Sequence, residues 1–175
     1  MKKIILLSII LIFLTGCGGI YNQGNFVLPN DIEFLNLIEE LNTPEKTCKY
    51  MEDNFEYENN LVTLTPYQLL LIKKGNCDDF SNFATFFPNY NGYEIYQILI
   101  EFLFYEHEDD NGDEKYHMIG VFKEGDYYNI SENMHYVECF CESFEDIMNF
   151  NLYHGWISYI VYDYDMKIVE QGYNN

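Results

Sequence analysis

Arginine is absent from this sequence, and all nine basic residues are lysines. Guanidinium groups bind phosphate and carboxylate through paired hydrogen bonds, so recognition of that kind is excluded. The chain has 29 acidic residues and a formal net charge of −20. A surface this acidic argues against binding to nucleic acid, and against direct adhesion to anionic lipid.

A Cys-x-x-Cys pair is also absent, which argues against a zinc site of the common kind. The acidic segment 107–114 resembles a calcium loop only in part, because glycine is missing at the sixth position of such a loop and glutamate at the twelfth. The segment is therefore predicted to be the tip of a hairpin. We therefore expect no metal and no cofactor. Cys48 is predicted to lie in a helix core. Cys139 and Cys141 would face the same side of a strand, and the sequence leaves their redox state open.

The N-terminus has the pattern of an export signal. Lys2 and Lys3 precede an apolar run, Ile4–Leu14, that is too short to span a membrane. The run leads into Leu14-Thr15-Gly16-Cys17, which resembles the lipobox of bacterial lipoproteins. The resemblance implies cleavage before Cys17 and lipidation of that residue, and hence an extracytoplasmic protein anchored to the membrane by its lipid.

The rest of the chain predicts one α+β domain. Residues 1–16 would be the signal peptide, 17–29 a lipidated cysteine with a polar tether, and 30–175 the domain. Helix-start signals occur at Asn30 or Asp31, Thr43, Thr65 and Asn76, with expected stops at Asn59, Gly75 and Pro88. Strand-like segments follow at 93–105, 115–123, 127–131 and 156–166, with a short helix from Ser143. Helices followed by an antiparallel sheet are typical of an α+β fold. The many tyrosines and phenylalanines predict an aromatic core, with an aromatic ligand surface as the alternative.

Cys77 and His117 are the candidate reactive residues. The segment Gly75–Phe80 reads Gly-Asn-Cys-Asp-Asp-Phe, and Asn76 is a good helix cap, so Cys77 is predicted to begin a helix. Unpaired backbone N–H groups and the positive end of the helix dipole favour a thiolate there, although Asp78 and Asp79 oppose it. His117 lies on a predicted strand. A cysteine and a histidine in such positions can form an activated nucleophile.

These segments resemble the transglutaminase-like branch of the papain-like cysteine enzymes over roughly residues 65–133. Gly75–Phe80 is similar to the family's Gly-x-Cys-x-Asp pattern at a helix start. The long strand after Gly92 is similar to the family's entry into its sheet. His117–Phe122, a turn, and Tyr127–Ser131 are similar to its histidine strand and the strand that follows. The resemblance implies a papain-like fold in which the cysteine-bearing helix packs on the antiparallel sheet.

The third member of the implied triad departs from the family pattern. Ser131 stands where the acid is expected at the end of the strand. Asn133 is the preferred substitute, because an asparagine orients the histidine in papain-type enzymes, while Asn129 and Glu132 are close enough to serve instead. The implied catalytic set is therefore Cys77, His117 and Asn133, with Ser131 as the alternative position.

The activity that the resemblance implies is attack on an amide or peptide bond through a thioester, ending in hydrolysis or acyl transfer. The Cys77 N–H would help form the oxyanion hole, and Gln68 is a weak candidate for a second donor. A peptide or protein is the expected substrate. Two alternatives are a binding lipoprotein of the cell envelope that keeps the fold with weak or no catalysis, and a purely structural lipoprotein. The sequence leaves the substrate and the oligomeric state open.

Overall fold

A computed structural model describes residues 26–102, 116–150 and 153–174. Within these ranges the chain is a mixed α+β structure, as the sequence predicts. The helices are α1 (Ile32–Glu40), α2 (Pro44–Asn54), α3 (Pro66–Ile72), α4 (Cys77–Tyr90) and α5 (Phe144–Asn149). The strands are β1 (Glu56–Tyr57), β2 (Lys74–Gly75), β3 (Glu94–Phe102), β4 (Tyr116–Glu124), β5 (Tyr127–Glu132), β6 (His135–Cys141), β7 (Trp156–Asp163) and β8 (Ile168–Tyr173).

One antiparallel sheet organises the described residues. Its strand order is β6-β5-β4-β3-β7-β8, and β1 and β2 form a separate parallel pair. The predicted antiparallel sheet is thus confirmed. Pairing of β4 with β5 runs from Glu124↔Tyr127 to Gly120↔Ser131. Because β5 ends at Glu132, the first residues of β4 extend past the end of β5 at one corner of the sheet.

The helices begin where the sequence predicts, because each has a side-chain cap. The capping residues are Asp31, Thr43, Thr65, Asn76 and Ser143, and each side chain accepts a hydrogen bond from a backbone N–H in the first turn of its helix. Such caps satisfy donors that have no acceptor within the helix. Local chemistry therefore fixes the start of α4 at Cys77.

Helix α4 is the central helix of the fold. It is buried from Cys77 to Pro88, and its phenylalanines join the residues of α1, α2 and α3 in a core against the sheet. At Gly120 a Cβ atom would lie 3.1 Å from Thr85 Cγ2, so this glycine lets α4 approach β4 closely. On the opposite side of the sheet, Ile98 and Ile119 pack in a second cluster with Ile147 of α5. The sheet is therefore covered on both sides.

Three helix ends differ from the prediction. Helix α2 ends at Asn54, short of Asn59, because Phe55 has an extended backbone and Glu56–Tyr57 form β1. Helix α3 ends at Ile72 because Lys73 has a left-handed backbone, with φ 62°, and Gly75 then belongs to β2. Helix α4 continues through Pro88 to Tyr90. A proline this close to the end of a helix removes only one backbone donor, and the Pro88 carbonyl accepts a hydrogen bond from Tyr93 N–H at 3.0 Å.

The prediction omitted several strands. β6 and β8 are the outer strands of the sheet, and β8 is exposed along most of its length. Strands with so little buried surface lack the alternating pattern that identifies a half-buried strand. β1 and β2 contain only two residues each. Their pairing depends on contacts that are distant in sequence.

Some predictions lie outside the described residues: the signal peptide, the lipidated Cys17 and the hairpin tip at 107–114. At the end of the predicted tether, Phe26 packs against Phe86 with ring centroids 5.3 Å apart, so these residues contact the core. No helix in the described part of the chain is long and apolar enough to cross a membrane. The same residues contain no cluster of three or more potential metal ligands.

Candidate active site

Cys77 is the first residue of α4. Asn76 caps the helix by accepting a hydrogen bond from Asp79 N–H, and the Asp79 side chain accepts one from Asn76 N–H in return. As a first-turn residue, Cys77 has a backbone N–H with no acceptor inside the helix. The side chain is 5 % exposed and packs with Leu99, Met118 and Tyr162. The thiol therefore lies in a largely apolar site at the start of a helix.

Asp79 fixes the segment that precedes α3 against the start of α4. Its carboxylate accepts hydrogen bonds from Leu64 N–H at 2.5 Å, from Asn60 Nδ2 at 2.6 Å and from Asn76 N–H at 3.0 Å. Burial raises the pKa of Asp79, although these three donors act against the rise. The acid of the Gly-x-Cys-x-Asp pattern is thus an anchor for the loop beside Cys77.

Gly75 leaves the space that this anchor occupies. A Cβ atom at position 75 would lie 2.8 Å from Asp79 Oδ2 and 2.9 Å from Leu69 Cδ1. We expect Gly75→Ala to lower the free energy of unfolding by about 1–3 kcal/mol, because Asp79 and the backbone of β2 must shift. Urea unfolding measures this loss. The neighbouring control Lys74→Ala removes only surface ion pairs, and we expect a change below about 1 kcal/mol. Equal stabilities for the two variants would contradict the steric role of Gly75.

Asp78 is the second acid beside the sulfur. Thr63 Oγ1 donates a hydrogen bond to Asp78 Oδ2 at 2.5 Å. Burial raises the pKa of Asp78, and the nearby negative charge of Asp79 adds to the rise.

His117 brings the imidazole to Cys77 at the corner where β4 extends past β5. The ring is 1 % exposed, and the Cys77 side chain is close enough to contribute to the raised pKa of His117. Its Nε2 atom lies 2.7 Å from Glu132 Oε1. With Nε2 committed to Glu132, Nδ1 is the ring nitrogen available to the sulfur. The sequence-predicted pair Cys77 and His117 therefore meets in space, 40 positions apart in the chain.

The charges of the site favour an imidazolium ring. Burial opposes protonation of His117, but the charge of Glu132 and hydrogen bonds with Cys77 and Glu132 outweigh it and raise the pKa of His117 well above its usual value. Burial acts to raise the pKa of Glu132, yet the His117 charge and hydrogen bonds from His117 and Tyr153 lower it overall. The raised pKa of His117 and the lowered pKa of Glu132 both favour the charged forms of this pair.

The side chain that contacts the imidazole is Glu132, whereas the sequence analysis preferred Asn133 as the third member. Asn133, the preferred residue, has φ 49° in the turn after β5, and its Nδ2 lies 3.4 Å from Glu132 Oε1. Ser131 shares the side of the sheet that contacts α4, and its Oγ donates to the Asn133 carbonyl at 2.7 Å. Since consecutive strand residues alternate in direction, Glu132 points away from that side and reaches His117. Asn129 bonds instead with Glu124 and Tyr136.

Tyr153 is a site residue that the sequence did not indicate. It is 2 % exposed, and its hydroxyl donates a hydrogen bond to Glu132 Oε2 at 2.6 Å. Both carboxylate oxygens of Glu132 thus have a partner. Tyr153 follows α5 and lies 21 positions beyond Glu132 in the chain. No local pattern around Tyr153 indicates this contact, because the sheet and α5 must fold before the two residues meet.

The other polar candidates have different partners or are exposed. Gln68 is exposed and completes the capping box of α3 by accepting a hydrogen bond from Thr65 N–H at 2.9 Å, as expected for a helix-start residue. His135 Nδ1 pairs with Glu52 at 2.8 Å, and His154 is exposed. The described residues therefore bring together Cys77, His117, Glu132 and Tyr153.

Comparison with known proteins adds no relative: no family model matches the chain, and a search of curated proteins found no match. A thiol at a helix start, a buried imidazole and a carboxylate held by a tyrosine can support nucleophilic attack on a carbonyl.

Proposed function

We propose that this protein is a cysteine enzyme of transglutaminase-like, papain-like fold that acts on amide or peptide bonds through a thioester. The observation that carries the proposal is the buried set Cys77–His117–Glu132, in which His117 Nε2 lies 2.7 Å from Glu132 Oε1 and the Cys77 side chain contributes to the raised pKa of His117. Stability of the core does not require these polar residues, because burying an ion pair costs desolvation energy that apolar packing avoids.

The first step is attack by the Cys77 sulfur on the substrate carbonyl, with the thiol proton held by His117. The Cys77 N–H is placed to donate to the developing oxyanion, since helix-start donors are fixed before the reaction. The protonated His117 then gives its proton to the leaving amine, and a thioester forms on Cys77. Water or a second amine attacks the thioester, which regenerates the thiol and yields hydrolysis or acyl transfer. Glu132 orients the imidazole and balances its charge throughout.

The proposed setting is the outer side of a bacterial membrane. The lipobox-like segment ending at Cys17 supports lipidation, and the lipid would hold the domain at the membrane without contact between the acidic surface and anionic lipid. The substrate is then a peptide or a protein that is present outside the cytoplasm. The net charge of −20 supports the exclusion of nucleic acid as a partner.

The alternative of a binding lipoprotein without catalysis rests on Ser131 at the expected position of the acid. Glu132, the next residue, weakens that argument, because it supplies a carboxylate 2.7 Å from the imidazole. The described contacts therefore favour the enzyme over the binding protein.

Alkylation of the intact chain by iodoacetamide tests the proposal. Because the raised pKa of His117 keeps the imidazolium charge beside the sulfur, we expect Cys77 to be alkylated readily at about pH 6, where an ordinary thiol is almost fully protonated. Peptide mapping by mass spectrometry identifies the labelled residue, and glutathione in the same tube reports the behaviour of an ordinary thiol. Alkylation of Cys77 that simply follows the titration of glutathione would argue for the non-catalytic alternatives.

A further inference from the structure

Cys139 and Cys141 form a second thiol site, on β6 at one edge of the sheet. Cys139 is partly exposed, and Cys141 is 6 % exposed. Both are free thiols in this structure. The proposed catalytic set does not include them.

The backbone of β6 is bulged between the two cysteines. In the pairing with β5, Ile130 faces Val137 but Tyr128 faces Cys141, so extra residues of β6 lie opposite Asn129. Phe140, between the cysteines, has φ 50°. Its N–H donates to Asn129 Oδ1 at 3.2 Å, which holds the bulge in place. A regular strand separates alternate residues by about 6.6 Å, and a left-handed residue between them shortens that distance.

The sulfur contacts are those of two adjacent thiols. Cys139 Sγ donates to the Tyr128 carbonyl at 3.1 Å, and Cys141 Sγ lies 3.8 Å from the Cys139 carbonyl oxygen. Tyr128, whose carbonyl accepts from Cys139, is the residue that pairs with Cys141, so both cysteines lie beside Tyr128. Disulfide formation needs α-carbons within about 7 Å and side chains that point toward one another. Cys139 and Cys141 are two residues apart in the chain, and the bulge between them brings their α-carbons closer than in a regular strand.

We propose that Cys139 and Cys141 form an intramolecular disulfide by exchange with a low-molecular-weight disulfide such as glutathione disulfide. The Cys139 thiolate attacks the glutathione disulfide and releases one glutathione. The Cys141 sulfur then attacks the mixed disulfide at Cys139 and releases the second. Two protons and two electrons leave the protein thiols, and one glutathione disulfide is reduced to two glutathione molecules.

The order of the two attacks follows from the surroundings. Burial, together with the hydrogen bond and the charge of Cys139, raises the pKa of Cys141 to about 12, so the more exposed Cys139 reacts first. Once Cys139 is modified, it no longer contributes to the raised pKa of Cys141. The Cys141 thiol then ionises more easily, which assists the second attack. The pairing leaves Cys77 as a free thiol. The inference does not depend on the proposed function, because it concerns a different site.

Redox titration of the intact chain in glutathione buffers tests the pairing. Samples are quenched with N-ethylmaleimide and mapped by mass spectrometry, which separates this peptide from those of the other cysteines. We expect the Cys139–Cys141 peptide to lose two hydrogens and both maleimide sites together. Half-oxidation should occur at a value of [GSH]²/[GSSG] at least about tenfold higher in the folded chain than in urea, because the bulge places the thiols together.

The variant Cys141→Ser supplies the matched control. It removes the second attack, so we expect a stable glutathione adduct on Cys139 in this variant and none in the natural chain. The proposal is overturned if the natural chain accumulates the same adduct, if Cys139 and Cys141 are alkylated independently, or if the folded and urea-treated chains oxidise at the same buffer ratio. The first readouts use the natural chain, so they do not depend on the folding of the variant.

Discussion

Replacing Cys77 by alanine is expected to abolish acyl transfer by this protein. With p-nitrophenyl acetate, an activated ester that needs no specific binding site, the natural chain should release a burst of nitrophenolate as Cys77 is acetylated. The thioester should appear in the intact mass and disappear when hydroxylamine takes the acetyl group. Loss of the sulfur nucleophile should reduce the burst rate on the order of a thousandfold or more.

The His117→Ala variant separates the activated thiol from a merely accessible one. It keeps the Cys77 sulfur but removes its proton acceptor, and the burst should slow by roughly a hundredfold or more. Cys139→Ser is the matched control, because it removes a partly exposed thiol outside the site and should leave the burst unchanged. A burst that persists in Cys77→Ala, or that is equally fast in His117→Ala, would remove the basis for the enzyme. Circular dichroism of each variant shows whether the fold is retained.

The sequence predicts the nucleophile end of the site well because its determinants are local. Asn76 caps α4 within four residues of chain, so the position of Cys77 at the helix start follows from side-chain chemistry alone. His117 follows from its strand-like neighbours and the hairpin after it. The function of Gly75 was not predicted in the same way. A helix stop and a site with no room for a side chain both favour glycine, and only the position of Asp79 distinguishes them.

The acid end of the site depends on register, which the sequence does not supply. The choice between Ser131, Glu132 and Asn133 follows from the pairing of Gly120 with Ser131, since a shift of one residue turns every side chain of the strand to the other side. Predicting the contact of Tyr153 with Glu132 requires still more of the tertiary structure, because β6 and α5 lie between the two residues in the chain. The sequence feature that points to Glu132 is the position of this acid directly after Ser131, the predicted end of the strand.

Glu132→Gln is expected to impair the site almost as strongly as loss of the histidine. Glutamine preserves the shape of the side chain but removes the negative charge, so burial is left to lower the pKa of His117 without its largest compensating influence. The amide can also hold the imidazole in the wrong tautomer. We expect the acetylation burst to slow by roughly a hundredfold to ten-thousandfold, with Cys77 still present. Asn133→Ala and Tyr153→Phe should have smaller effects, because each only contacts the Glu132 carboxylate.

The same variant tests the ion pair through stability. The lowered pKa of Glu132 contributes stability that is present above the unfolded value of about 4.3 and is lost as pH falls through the folded value. The raised pKa of His117 contributes stability that is present below about 6.5 and is lost as pH rises through the folded value. Urea unfolding across this range should therefore show the largest difference between the natural chain and Glu132→Gln at about pH 4.3–6.5, with convergence on both sides. A difference that is constant with pH would mean that Glu132 acts through packing, and that His117 is not held as an imidazolium ion beside Cys77.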